Sequence, residues 1–284
     1  MKENKYTHQV EQRREAEQLT PYEQELIKKV EKDRDYKQSL YIPIKPNSVD
    51  LSIEDLIAHL QENGIGDAKL YNRLYRGEIV YVKYWERFLV WNGHHWREDD
   101  WNEAYQAIES VCEKYLAAAQ MKEIEADGIS KEENPDLKKK VKSLADKGFR
   151  RVDRLRSKNG QDDLLTMTRR THNPLLILPS YIDVQYYLLP CPNGVVDLRT
   201  GELHDGRPED YLLNACLTEY DPELLKLEDP CPETNAFLLR SMNGNQRLVD
   251  FIWRILGYGL IRDRKDHVFI IFWGEHGRNG KDTL

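Results

Sequence analysis

From Ser52 onward the chain alternates between segments with helical spacing of apolar residues and short segments with strand spacing. Leu56, Ile57 and Leu60 fall on one face of a predicted helix that Ser52 can cap, running to about Asn63 with Gly64 as its stop. Ile79–Tyr84, Phe88–Trp91 and His94–Trp96 then read as a β-meander, with Asn92-Gly93 as a hairpin turn because both turn positions favour positive φ. A long helix is predicted from about Asn102 to Lys122, with Ala104, Ile108, Val111, Cys112, Tyr115 and Ala119 on one face. Gly128 and Asn134-Pro135 break the pattern. A second long helix, about Asp136 to Ser157, turns Val141, Leu144, Val152 and Leu155 inward. After a polar linker near 158–163 comes a proline-punctuated stretch, and Val195–Leu203 reads as a tight hairpin or two short strands. Two further helices, about Thr234–Met242 and Asn245–Tyr258, lead to an apolar run, His267–Trp273, with the character of a buried strand. Upstream of all this, residues 1–35 carry 8 basic and 9 acidic side chains. There Thr20-Pro21-Tyr22-Glu23 forms a capping box ahead of a thin apolar stripe, Leu19, Tyr22, Leu26 and Val30. That stripe fits either docking or a solvated arm.

Composition narrows the class. Six Trp and 16 Tyr within 40% hydrophobic residues are enough for a core, and the 32% charged residues point to large polar faces. No apolar run reaches 18 residues and Met1-Lys-Glu-Asn-Lys leads into charge, so a cytoplasmic chain with no membrane partner is expected. The four cysteines are too widely spaced for a zinc site or a disulfide framework, and His94-His95, being adjacent, makes a poor chelating pair. No metal site or catalytic residue is assigned.

Charge is segregated although the net value is only −7. Residues 98–136 hold 12 acidic and 3 basic side chains, whereas residues 137–158 hold 10 basic and 2 acidic. The basic helix places Lys138, Lys139, Lys140, Lys142, Lys147, Arg150, Arg151, Arg154 and Arg156 on its outer face. Two readings fit: a phosphate-contacting surface, with Lys138, Lys139, Lys142, Lys147, Arg150, Arg151 and Arg154 as DNA-binding candidates, or a solvated face balanced by the acidic segment. Trp85, Trp91 and Trp96 likewise fit base stacking or a core wall.

The last segment carries the most specific chemistry. A Walker A loop is G-x-x-x-x-G-K followed by Ser or Thr. Here an apolar run feeds Gly274, Gly277, Asn279, Gly280, Lys281 and Thr283, but Glu275 stands where the first glycine belongs and Asp282 separates Lys281 from Thr283. Glycines let backbone N–H groups curl round phosphate oxygens, and the lysine ammonium reaches the outer phosphates.

Asn279-Gly280-Lys281 resembles the phosphate loop of superfamily 3 helicases. Upstream, Pro192–Leu203, Arg207–Tyr211, Tyr220-Asp-Pro222 and Cys231-Pro232 resemble the domain before the ATPase in the phage and plasmid primase–helicase family. Leu89-Val-Trp91 with Gly93 and Trp96, and Leu256-Gly-Tyr258, fit the same family. The resemblance covers roughly residues 50–284. It implies a DNA-replication helicase of a phage, plasmid or mobile element that forms a ring, a hexamer, and moves on single-stranded DNA with ATP and Mg²⁺. Thr283, with Asp282 as rival, would meet the Mg²⁺. A primase would be a separate polypeptide. The Walker B acid, polar sensor and arginine finger would fall beyond Leu284, so the 284-residue chain alone is expected to be inactive and to need no cofactor.

The expected fold is α+β: a mainly helical collar domain with small β-hairpin units, followed by a truncated α/β ATPase stub. Its expected divisions are a charged arm (1–49), a collar or adaptor domain (50–234), a helical linker (235–265) and the start of a P-loop ATPase domain (266–284). The alternative is an adaptor module that binds DNA or primase without ATP.

Overall fold

The computed structural model describes residues 43–132, 134–263 and 269–273. It is α+β, and the compact unit these residues form begins at Ile44. Helix α1 (Ile53–Gln61) starts in a reciprocal capping box: the Asp55 N–H donates to Ser52 Oγ at 3.1 Å, and the Ser52 N–H donates to Asp55 Oδ2 at 3.0 Å. Gly64 does not end this helix. It opens α2 (Gly64–Tyr75), a helix whose Leu70, Tyr71, Leu74 and Tyr75 are fully buried. The corner between the two is closed by Gly66, where a Cβ would lie 1.8 Å from the His59 carbonyl oxygen.

The long helix expected from Asn102 is split. A short turn, α3 (Glu103–Gln106), precedes α4 (Ile108–Gly128). Asp99 rather than Asn102 satisfies its first amides, accepting from Glu103 N–H at 2.6 Å and Ala104 N–H at 3.0 Å. The basic helix, α5 (Pro135–Leu155), folds back on α4 as an antiparallel hairpin. The two backbones meet at Gly148, where a Cβ would stand 2.7 Å from that of Ala119. The segment expected as a polar linker is instead α6 (Lys158–Thr168), capped by Ser157, with Leu164 and Leu165 in the core.

The meander forms one sheet of order β3-β2-β1-β4, from β1 (Ile79–Val82), β2 (Arg87–Trp91), β3 (Trp96–Glu98) and β4 (Leu176–Ile177). β4 pairs in parallel with β1, Tyr81 opposite Leu176. The β2–β3 connection is four residues long rather than two, because Asn92 Oδ1 accepts from the N–H groups of His94 (3.2 Å) and His95 (3.0 Å). Trp96 is 2% exposed, donates from Nε1 to the Pro208 carbonyl at 2.8 Å, and contacts Trp91 edge-on and Tyr211 face-on. Of the three tryptophans, only Trp85 lies substantially in solvent. Trp91 and Trp96 are core wall.

A second sheet follows: β5 (Leu188–Cys191), β6 (Gly194–Asp197) and β7 (Glu202–His204), all antiparallel. Helices α7 (Pro232–Ser241) and α8 (Gln246–Leu260) pack on each other round Leu238, Val249 and Ile252. Phe269–Trp273, expected as a buried strand, is in no strand, and Phe269 and Trp273 are 85% and 79% exposed. Apolar residues of a parallel-type strand stay in solvent when no neighbouring strand covers them. Among the described residues no helix is long and apolar enough to cross a membrane.

His95 makes the fold acid-sensitive. Burial, reinforced by His94 and Arg97, pushes its imidazole down to about 4. The folded state therefore holds the neutral ring where the unfolded chain, near 6.5, takes up a proton, so stability present at neutral pH is lost as pH falls from about 6.5 to 4. Urea melts at pH 7 and pH 4.5 should differ by roughly 2–3 kcal/mol from this residue, a difference that His95→Asn removes.

Candidate nucleic-acid interface

Helix α5 buries Val141, Ala145, Gly148, Val152 and Leu155 along one line, which leaves the opposite side for its cations. Proline at the first helical position and the unbroken run to Leu155 make it a straight frame 21 residues long. The side chains on that frame have unequal fates.

Three of them belong to the fold. Arg151 is 11% exposed and turns toward α2, where Nη1 donates to Asp67 Oδ2 at 2.9 Å and Nη2 to Asn63 Oδ1 at 2.9 Å. Asp67 is 3% exposed, and burial raises its carboxyl above the usual range although Arg151 draws it back. The buried Tyr115 hydroxyl beside it is raised in turn, by burial first and by the Asp67 charge second. Lys138 donates from Nζ to the Ile129 carbonyl at 3.0 Å, satisfying the residue that caps α4. Arg156 forms an ion pair with Glu109 and so closes the root of the hairpin. Arg154 reaches Asp163 at 3.1 Å, but both side chains are more than 60% exposed, and the bond is screened by water.

Lys139, Lys140, Lys142, Lys147 and Arg150 carry no ion pair among the described residues. Residues three and four apart line up on a helix, so Lys139, Ser143, Lys147, Arg150 and Arg154 form one row. At a rise of 1.5 Å per residue the row is about 22 Å long. The two acids of the outer face, Asp146 and Asp153, adjoin the row on the side of Lys142; they lie four residues before and three residues after Arg150 and partly offset its field. The row from Lys139 to Arg154 thus carries four cations with the neutral Ser143 among them, and lysine ammonium and arginine guanidinium groups spaced along a helix suit phosphates. The candidates thus divide. Lys139, Lys147, Arg150 and the loosely held Arg154 form the open row, Lys142 flanks it, and Lys138 and Arg151 are committed elsewhere.

The motif-bearing segment downstream is structural. Asn193 and Tyr220 hold each other, the Asn193 side-chain amide donating to the Tyr220 carbonyl at 2.8 Å and the Tyr220 N–H donating to Asn193 Oδ1 at 3.0 Å. The Tyr220 hydroxyl donates to the Gly201 carbonyl at 2.8 Å, across a turn where Gly201 has φ +74°. Arg199, bound to Asp197 through side chain and backbone, holds that carboxyl at about 2. These bonds staple β5–β7.

The nucleotide-binding candidates Gly274, Gly277, Asn279, Gly280, Lys281 and Thr283, and the capping box at Thr20, lie outside the described residues. A group that reading of the sequence missed is Asp183 with Arg262, 79 positions apart and joined by an ion pair. Neither has a neighbour in sequence that signals the other.

A family model described as D5 N terminal like matches residues 68–242, more than half of the chain. No curated protein matches it.

Proposed function

Because the chain belongs to the D5 N-terminal-like family of phage and viral primase–helicases, we propose that it is the N-terminal part of an ATP-dependent superfamily 3 helicase that replicates the DNA of a phage, plasmid or mobile element. Residues 50–234 act as the collar, 235–265 as a helical linker, and 266–284 begin the motor. In that protein ATP and Mg²⁺ would be met by Gly274, Gly277, Asn279, Gly280, Lys281 and Thr283, and a ring, a hexamer, would encircle single-stranded DNA with a separate primase as partner. The collar supports assembly and offers its open cationic row to the strand. The match over residues 68–242 carries this reading, and the row on α5 gives it a surface.

The test is fluorescence anisotropy of labelled single-stranded DNA at several salt concentrations. Each phosphate contact contributes about −0.7 to the slope of log K against log salt. Lys139→Glu/Lys147→Glu/Arg150→Glu should flatten that slope by about 2 and weaken binding at least about tenfold at 0.1 M salt. Wild-type chain that ignores DNA, or a triple variant that binds like wild type, would sink the DNA-contacting role.

One observation favours the adaptor reading as well. The cationic row lies wholly within the collar, so its grip on DNA should need no nucleotide. Binding that is unchanged by ATP fits the adaptor, whereas binding that tightens with ATP fits coupling to the motor.

A further inference from the structure

Asp183 stands in the left-handed region with φ +57°, a conformation that a non-glycine residue keeps only when its surroundings enforce it. Its surroundings are dense. The backbone N–H donates to the Tyr211 carbonyl at 3.1 Å, and the carboxylate accepts from Leu213 N–H (2.8 Å), Asn214 N–H (3.4 Å), the Asn214 side-chain amide and the Arg262 guanidinium. Arg262 adds a bond from Nη2 to the Asn214 carbonyl at 2.6 Å and one from its backbone N–H to the Tyr186 carbonyl at 3.3 Å. The two charged side chains are 14% and 17% exposed, so water screens the pair little.

The position of this cluster gives it a role. Arg262 is the second residue after α8. α7 and α8 have a core of their own, Leu238, Val249 and Ile252 with Phe237 and Met242, which includes no residue from the rest of the unit. The Trp253 indole N–H donates to Asn235 within the same pair of helices, at 2.8 Å. The chain leading in, residues 221–230, is exposed at every position. The helical pair is thus a small body with an exposed strap at its entrance and Arg262 at its exit.

We propose that Asp183 and Arg262 form a latch that fixes the pose of the α7–α8 pair against the 183–214 segment. With the latch closed, the chain leaves α8 through Arg262 in one direction. With the latch open, the pair pivots on the 221–230 strap as an intact body, because its internal core does not depend on the ion pair. Arg262 is a positioning residue in this scheme, and the DNA-contacting row plays no part in it.

Small-angle scattering and hydrogen exchange on the full chain, comparing wild type with Arg262→Ala and Asp183→Asn, test the latch. Both variants should raise the radius of gyration. The Leu213 and Asn214 amides, which donate to Asp183, should exchange about tenfold faster or more. Amides inside α8 should keep wild-type protection, and Arg262→Lys, which keeps the charge but loses the fork, should fall between. Scattering that superimposes on wild type in both variants overturns the latch, whatever Leu213 and Asn214 do. So does loss of protection within α8 itself, since the pair would then be unfolding rather than pivoting. Asp183→Asn preserves shape, so it reports on the latch even if Arg262→Ala fails to fold.

Discussion

Arg151→Ala should cost about 3–5 kcal/mol, because it strands the buried Asp67 carboxylate without its counter-ion. At roughly 2–4 °C per kcal/mol for a chain of this size, the melting temperature should fall by roughly 6–20 °C. Arg154→Ala, only three residues on, should cost about 1 kcal/mol or less, since its partner Asp163 is in solvent. The pH dependence has a definite sign. Burial already raises the Asp67 carboxyl, and without Arg151 it rises further. A raised folded-state value means that the penalty is fully present above it and is relieved as the group is protonated. The deficit of the variant relative to wild type should therefore narrow as pH is lowered from 7 toward 5. Asp67→Asn placed on Arg151→Ala should recover part of the loss, because a neutral amide is cheaper to bury than a bare charge. Thermal melts of the four proteins decide it: a double variant no more stable than Arg151→Ala would mean that the guanidinium matters by packing rather than by charge.

Trp96→Ala should be comparably damaging, about 3–5 kcal/mol, through the cavity left by an indole that is 2% exposed. The ring sits between Trp91 and Tyr211 and joins the first sheet to the 208–213 segment, with its backbone N–H donating to the Leu212 carbonyl at 2.7 Å. Trp96→Phe should fill much of the volume but remove one of the two hydrogen bonds to the Pro208 carbonyl, which keeps the Tyr211 N–H at 3.2 Å, a loss of about 1 kcal/mol. Urea midpoints of the two variants separate packing from hydrogen bonding. Equal losses would show that the indole N–H carries the effect, and a harmless alanine would show that the segment is held by other contacts.

Much of this was legible before any coordinates. The buried line of α3 and α4 is readable as Ala104, Ile108, Val111, Cys112, Tyr115 and Ala119, and all six are buried. The start of α1 was marked by Ser52, and the helical pair α7–α8 by its spacing. The misses have physical causes. Gly64 looks like a helix stop, yet it opens α2, whose Gly66 permits a close approach to the His59 carbonyl that local pattern does not announce. The polar surface of α6 hid Leu164 and Leu165. β4 is two residues long and pairs with a strand 95 positions earlier, Tyr81 against Leu176, a partner that local pattern does not announce.

The basic helix shows where the division falls. Sequence alone determined a helix over about Asp136 to Ser157 with Val141, Val152 and Leu155 buried and its other side rich in cations, because a period of 3.6 residues follows from backbone geometry; Leu144, expected inward, is only partly buried. Only the tertiary structure decided that Arg150 faces solvent while Arg151 is spent on Asp67, that Lys138 closes the end of α4, and that Arg262 is drawn to Asp183. A helical period sets the direction of a side chain. Whether the cation there is free depends on which acid or carbonyl another part of the chain brings within about 3–4 Å of it.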